Sequence, residues 1–438
     1  MGRGCVWVLL LLGIGWLEAS GAEVGTKPLV RDFMGINGHT VLFKPELYRP
    51  VAGLVRDYHP AEWDLGKDSD FTPPFPFARN RVDWSKVYGS WKAAGWRTDV
   101  SLMFETLPRE QWKDLAKDSR LYAERFARAF GPSSTNALVE SVEVGNEPGK
   151  FNDADYRVVF ENMARGLKAG DPKIRVVTGA LTTGKSHDYA KSVSSIAGLE
   201  PLYDVLNVHS YAQLEGWPTW KRSFPEDPAL KEYLPDIRSL CAWRDANAPG
   251  KEVWLTEFGY DSSTRPPDPK TEFRKWAGVT DERQAQWNVR SWLVFAALPV
   301  QRAYVFYSDD DDAPHVHGSA GLTRKLAPKP SFHAAAHLQK TLGDFRFSKV
   351  LIDRPSDAML YEFSHGTDPA KRIWVAWSPT GSSRKARLQL PPYAGRIIRA
   401  ERMPLSRDEP AGVAVEPMAK EIEIGESPVY LRLENGTR

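Results

Sequence analysis

The chain has 438 residues and a formal net charge of +2, with 58 basic and 56 acidic side chains spread along its length. Nothing in it resembles the concentrated basic face of a nucleic-acid binder. The length accommodates two or three average domains, or one α/β barrel with an addition, and is ample for a large buried core.

The chain opens with a cationic start at Arg3, an apolar run from Cys5 to Leu17 and the small residues Ala19-Ser20-Gly21-Ala22. This pattern reads as a signal peptide over residues 1–22, cut after Ala22 and directing the protein to a secreted or periplasmic location. The apolar run is only about 13 residues long, against roughly 20 needed to cross a bilayer, so no membrane association is expected after cleavage. Cys241 then remains as the sole cysteine, which excludes an intrachain disulfide. Trp7 and Trp16 fall in the leader; several of the other tryptophans are candidate platforms for a flat, weakly polar ligand such as a sugar ring.

From about residue 33 to 343, short apolar runs alternate with helical patterns. The runs are Phe33 to Asn37, Ala52 to Arg56, Thr98 to Phe104, Val139 to Val144, Ile174 to Thr178, Val205 to Val208, Val253 to Thr256 and Ala303 to Tyr307. Between them the period becomes helical, as in Trp84, Val87, Tyr88 and Trp91, or Ala285, Val289, Trp292, Leu293 and Ala296. Eight strands alternating with helices predict a closed parallel (β/α)8 TIM barrel over residues 23–343. After a helix near Ser331 to Leu342, seven short alternating runs without intervening helices predict an antiparallel β-sandwich over residues 344–438.

Two of the barrel runs end in glutamates. Ser141-Val-Glu143-Val-Gly145-Asn146-Glu147-Pro148 closes strand four, and Val253-Trp254-Leu255-Thr256-Glu257-Phe258-Gly259-Tyr260 closes strand seven. In a parallel barrel the carboxyl ends of the strands open onto the active-site face. Glu147 and Glu257 therefore face each other across one mouth, where Gly259 permits a turn that a side chain would hinder. Either alone fits a surface ion pair or a helix cap. Together they fit glycosidic cleavage, in which one carboxyl protonates the leaving oxygen while the other attacks the anomeric carbon or activates water.

These segments resemble clan A of the glycoside hydrolases. With Lys329-Pro330-Ser331-Phe332-His333 after strand eight, they are similar to families 39 and 5. The likeness in layout spans residues 33 to 343, with specific motifs on strands two, four, six and seven and the post-barrel helix. It implies a retaining hydrolase without a cofactor or metal, acting on a β-linked carbohydrate through a covalent glycosyl-enzyme. Glu147 would be the acid/base and Glu257 the nucleophile, with Asn146 binding the sugar 2-hydroxyl and Arg56 steadying the nucleophile. His209 and Tyr211 end strand six two residues apart, so both point toward the mouth, and the resemblance gives such residues contacts with nucleophile or substrate. Strand eight departs from the clan, carrying Phe306-Tyr307 where a tryptophan is common. A transglycosylase and a non-catalytic carbohydrate-binding barrel are the alternatives.

Other residues carry weaker signals. Trp217 and Trp220, in the loop after strand six, either stack on sugar or pin that loop; Trp63 and Phe71 to Phe77, after strand two, present the same choice. Asp309 to Asp312 with His315 and His317 match neither a Ca2+ loop nor a zinc pattern and read as a solvated acidic loop, with substrate contacts as the alternative. Glu105, ending strand three, is expected at the rim or on a substrate hydroxyl, and Tyr260 at the same rim or packed. Cys241, with Ile237 and Leu240, reads as core. Asn435-Gly436-Thr437 fits a glycosylation acceptor.

Overall fold

Short polar side chains start the main helices. Asp83, Asp114, Asn152 and Thr280 each accept a hydrogen bond from the backbone N–H three residues on, satisfying a donor that the first turn leaves free. The helices they open are α1 (Trp84–Ala93), α2 (Leu115–Phe130), α3 (Asp153–Gly170) and, after α4 (Tyr233–Asn247), α5 (Asp281–Ala297). A sixth, α6 (Pro330–Leu342), begins with proline at its first position. The computed structural model describes residues 27–393 and 395–434. The leader with its expected cleavage after Ala22, and the acceptor at Asn435, lie outside them.

The eight apolar runs form parallel strands: β1 (Met34–Asn37), β2 (Leu54–Pro60), β3 (Arg97–Met103), β4 (Ser141–Val144), β5 (Arg175–Thr182), β6 (Val205–His209), β7 (Glu252–Phe258) and β8 (Arg302–Val305). Each pairs with its neighbours in sequence, and β1 pairs with β8, so the sheet closes into a barrel. Two connections are shorter than a full helix: the single turn Pro45–Tyr48 between β1 and β2, and two 3-10 turns between β5 and β6.

Inside the barrel, side chains stack in layers because alternate residues of each strand face inward. Leu54, Val177, Val205, Trp254 and Tyr304 form a fully buried apolar layer. One step toward the carboxyl ends the layer is polar: Asn37, Arg56, Glu143, Asn207 and Thr256 are all fully buried. Buried polar groups at such density persist only when hydrogen-bonded. The floor of the mouth is therefore built from charge rather than hydrocarbon.

Beyond α6, strands β9 (Phe345–Arg354), β10 (Ala358–His365), β11 (Lys371–Trp377), β13 (Arg396–Arg402) and β15 (Val429–Glu434) form an antiparallel sheet in the order β9-β10-β11-β15-β13. β12 (Ala386–Gln389) and β14 (Glu421–Ile424) pair separately. Leu360, Trp374, Leu388, Ile422 and Leu431 fill the space between the two sheets. This is the β-sandwich.

The sandwich rests on α5, which explains a feature that helical period alone does not reveal. The apolar stripe of α5 faces the barrel, yet Gln286 and Arg290 are buried too. Arg290 binds the Glu226 carboxylate and donates to the Thr380 carbonyl at 2.9 Å, and Gln286 reaches Ser427 at 3.2 Å. The Trp377 indole also donates to Glu226, at 2.6 Å.

Candidate active site

β4 ends in a turn that only glycine makes freely. Gly145 has φ +82°, and a Cβ there would fall 2.6 Å from the Phe104 ring. Past this point Asn146 and Glu147 emerge at the barrel mouth before Pro148 starts a 3-10 turn. Glu147 is 27% exposed.

β7 reaches the mouth differently. Its register against β6 slips between Leu255 and Glu257, and against β8 between Leu255 and Phe258. This bulge turns two successive side chains, Thr256 and Glu257, into the barrel, where an unbroken strand would offer one. Gly259 follows with its Cα against the Phe306 carbonyl, 2.4 Å from where a Cβ would lie.

Glu257 is almost fully buried and held by four groups. Oε1 accepts from Arg56 Nη1 at 3.1 Å and from the Tyr58 hydroxyl at 2.6 Å; Oε2 accepts from the Tyr211 hydroxyl at 2.8 Å. His209 Nδ1 lies 3.7 Å from Oε2 and 3.1 Å from Glu147 Oε1, while its Nε2 meets Thr256 Oγ1 at 3.0 Å. Burial by itself would raise the Glu257 carboxyl, but His209, Arg56 and the two tyrosine hydroxyls outweigh it and hold the group well below the usual carboxylate range. For His209, burial acts downward, and the neighbouring Glu257 and Glu147 carboxylates drive the net shift upward.

Arg56 organises the layer beneath. Its guanidinium binds Glu143 through Nε at 2.8 Å and Nη2 at 2.7 Å, a two-pronged contact, and donates to the side-chain oxygens of Asn37 at 3.0 Å and Asn146 at 2.7 Å. Asn207 bridges Glu143 and Thr256. Thus Glu147, Asn146, Arg56, Glu257, His209 and Tyr211 converge on one spot.

No family model matches the chain, and no curated protein matches it. Solved structures do. A family 39 glycoside hydrolase from Bacteroides cellulosilyticus WH2 superposes with a TM-score of 0.69 at 17% identity, over 93% of this chain and 81% of that one. A glucosidase from Croceicoccus marinus gives 0.61 at 14% identity, over 94% and 98%. A family 51 arabinofuranosidase from Xanthomonas axonopodis pv. citri gives 0.62 at 13%, over 93% and 97%. The chain has a glycoside hydrolase fold. It is the fold that the resemblance to clan A implies.

In this glycoside hydrolase fold a cleft of about 430 Å3 opens beside Glu147, walled by Thr182, Tyr189, Tyr211, Trp220 and His317. Trp220 leans on Phe273 with ring centroids 5.0 Å apart. Trp217 does not line this cleft; it stands 68% exposed in the same loop. At the base of the mouth, Phe306 and Tyr307 are joined by a cis peptide, and the Tyr307 ring stacks on His39 at 4.3 Å.

Several weaker signals resolve into packing and ion pairing. Trp63 stacks on Trp84 and Phe75 packs edge-on against Phe126 and Phe130, so these β2-loop aromatics cover α1 and α2 rather than bounding the cleft. Asp310 and Asp312 are buried, not solvated: Lys329 binds Asp310 at 3.1 Å and Arg324 binds Asp312 at 3.0 Å, because the β8 loop folds under the start of α6. Of the two readings of Tyr260, packing holds: it is buried against Trp287. Glu105 is turned sideways toward β4 by the 3-10 turn Phe104–Thr106 and accepts from backbone N–H groups.

Tyr58, which no motif in the sequence marks, joins this cluster through its hydrogen bond to Glu257. It lies two residues after Arg56 on β2, and that spacing puts both on the inner face. One oxygen each of Glu147 and Glu257 and one nitrogen of His209 lie within 4.8 Å of one another, a set that could hold a metal ion. The donors already bound to both Glu257 oxygens, one of them a guanidinium, compete with a cation there.

Proposed function

We propose that the protein is a retaining glycoside hydrolase acting on a β-linked carbohydrate, with Glu257 as nucleophile and Glu147 as acid/base. The observation that carries this reading is the separation of the two glutamates, whose nearest oxygens lie within 4.8 Å. Facing oxygens this close favour the carboxyl separation of retaining enzymes, about 5 to 5.5 Å between the groups, over the roughly 6.5 to 9.5 Å by which inverting ones make room for a water.

In the first step the Glu257 carboxylate attacks the anomeric carbon while Glu147 gives its proton to the departing oxygen. The bond to the leaving group breaks and a glycosyl ester forms. In the second, Glu147 takes a proton from water, the oxygen attacks the same carbon, and Glu257 is released. Arg56, Tyr58 and Tyr211 keep Glu257 ionised, as a nucleophile must be. His209, touching both carboxylates, links the two halves of the site. Asn146, fixed by Arg56, is placed for the sugar 2-hydroxyl, and Trp220 for a ring in the cleft. The β-linkage rests on the clan resemblance, and the leader supports secretion or export to the periplasm.

The deciding experiment is NMR of the first sugar released, before mutarotation. The anomeric configuration of the cleaved bond is expected. The opposite anomer appearing first would refute the role of Glu257.

A further inference from the structure

We propose that Glu105 is the positioning residue for the proton donor, holding the backbone of Asn146 and Glu147 so that the Glu147 carboxyl meets the leaving oxygen. This rests on the reading of Glu147 given above. Glu105 Oε1 accepts from the N–H of Asn146 at 2.7 Å and from the N–H of Glu147 at 3.2 Å. No other side chain accepts from these two donors among the described residues. Two consecutive N–H groups facing one way are what a positive-φ residue such as Gly145 produces, and a single carboxylate oxygen can satisfy both.

The arrangement is costly, which argues against an incidental contact. Glu105 Oε2 is buried with no hydrogen-bond partner. Glu143 and Tyr156 act on this carboxyl, neither of them a cation, and no ion pair to Glu105 forms among the described residues. Burial, with a smaller push from Glu143, raises the carboxyl to about 7 against the pull of the backbone donors. An ordinary structural ion pair would have avoided that penalty. The close approach also depends on Gly145, since a Cβ there would lie 3.1 Å from Glu105 Oε2. Gly145 and Glu105 therefore act as one device, and Asn146, tied to Arg56, sits at its far end.

The test compares kcat/KM, which reports the first irreversible step, on two glycosides of the same sugar. One has an activated phenol as leaving group and the other an alkyl alcohol. Glu105→Met keeps length and removes the acceptor. A displaced acid should cost about a hundred-fold on the alkyl glycoside and less than about three-fold on the activated one, which needs little protonation. Glu105→Gln retains an acceptor and should restore most of the loss. Equal losses on both substrates in a folded variant, or no loss on either, overturn the proposal. Hydrogen exchange on the wild-type protein tests it without any variant: the amides of Asn146 and Glu147 should be protected, and exchange at the rate of an exposed loop overturns it. Glu147→Ala is the control. Equal losses there on both substrates would refute the donor reading itself, whereas a selective loss there without one in Glu105→Met would refute only the inference about Glu105.

Discussion

Tyr58→Phe isolates what keeps the proposed nucleophile ionised. The ring packs edge-on against Phe306 at 6.3 Å and against His39 at 5.7 Å, and phenylalanine preserves both contacts while deleting the 2.6 Å hydrogen bond to Glu257 Oε1. A hydrogen bond to an ionised partner contributes about 1.5 to 3 kcal/mol. At about 1.4 kcal/mol per pKa unit, the Glu257 carboxyl should rise by roughly one to two units. The acidic limb of kcat/KM against pH, which follows ionisation of the free enzyme, should move up by the same amount. Stability follows the same sign. A carboxyl held low in the folded protein adds stability above its unfolded pKa, and that stability is lost as pH falls through the folded value. The variant should therefore be less stable than wild type at pH 7, by about 1.5 to 3 kcal/mol in urea melts, with the gap closing in acid. An acidic limb that stays put or moves down would refute the reasoning.

Glu257→Gln keeps shape and removes charge, so turnover should fall by several orders of magnitude while circular dichroism stays native; wild-type turnover in verified pure protein would contradict the assignment. Trp220→Ala should weaken saccharide binding by about 1 to 2 kcal/mol in calorimetry, and Trp217→Ala by less, because Trp217 stands outside the cleft; normal binding by the Trp220 variant would make its loop purely structural. Away from the site, Asp64 accepts from the Trp84 indole at 2.8 Å and the Tyr122 hydroxyl at 2.7 Å and lies 2.6 Å from His59 Nε2. Asp64→Ala strips three buried polar groups of their partner and should cost about 3 to 5 kcal/mol in chemical denaturation; a loss under 1 kcal/mol would contradict that accounting.

The barrel was readable because its strands are short apolar runs separated by periodic helices, and the glutamate pair because both residues end such runs. What could not be read depends on three-dimensional neighbours. Nothing local to Thr256-Glu257 announces the bulge that turns both side chains inward, since it arises from register against β6 and β8. Glu143 stands inside the strand-four motif, but its role as the counter-charge of Arg56 exists only once β2 and β4 share an interior. Tyr58 had a usable signal, its spacing from Arg56, of the same kind that singled out Tyr211 beside His209. The acidic loop misled because Lys329 and Arg324, which neutralise Asp310 and Asp312, come more than ten residues later in the chain.

The burial of Arg290 has a consequence for how the molecule comes apart. Its guanidinium sits on a barrel helix, yet the acceptors that justify its burial include the Thr380 carbonyl and Glu426 of the sandwich, and Glu226 is shared with the Trp377 indole. Peeling the sandwich away would keep the Arg290–Glu226 pair within the barrel but strip Arg290 of the Thr380 carbonyl and Glu426, and Glu226 of the Trp377 indole, each a buried polar contact whose loss costs stability. Neither half can loosen cheaply on its own, so cooperativity runs across the junction. The sandwich behaves as a keystone for the α5 side of the barrel, on which the bulged end of β7 ultimately leans.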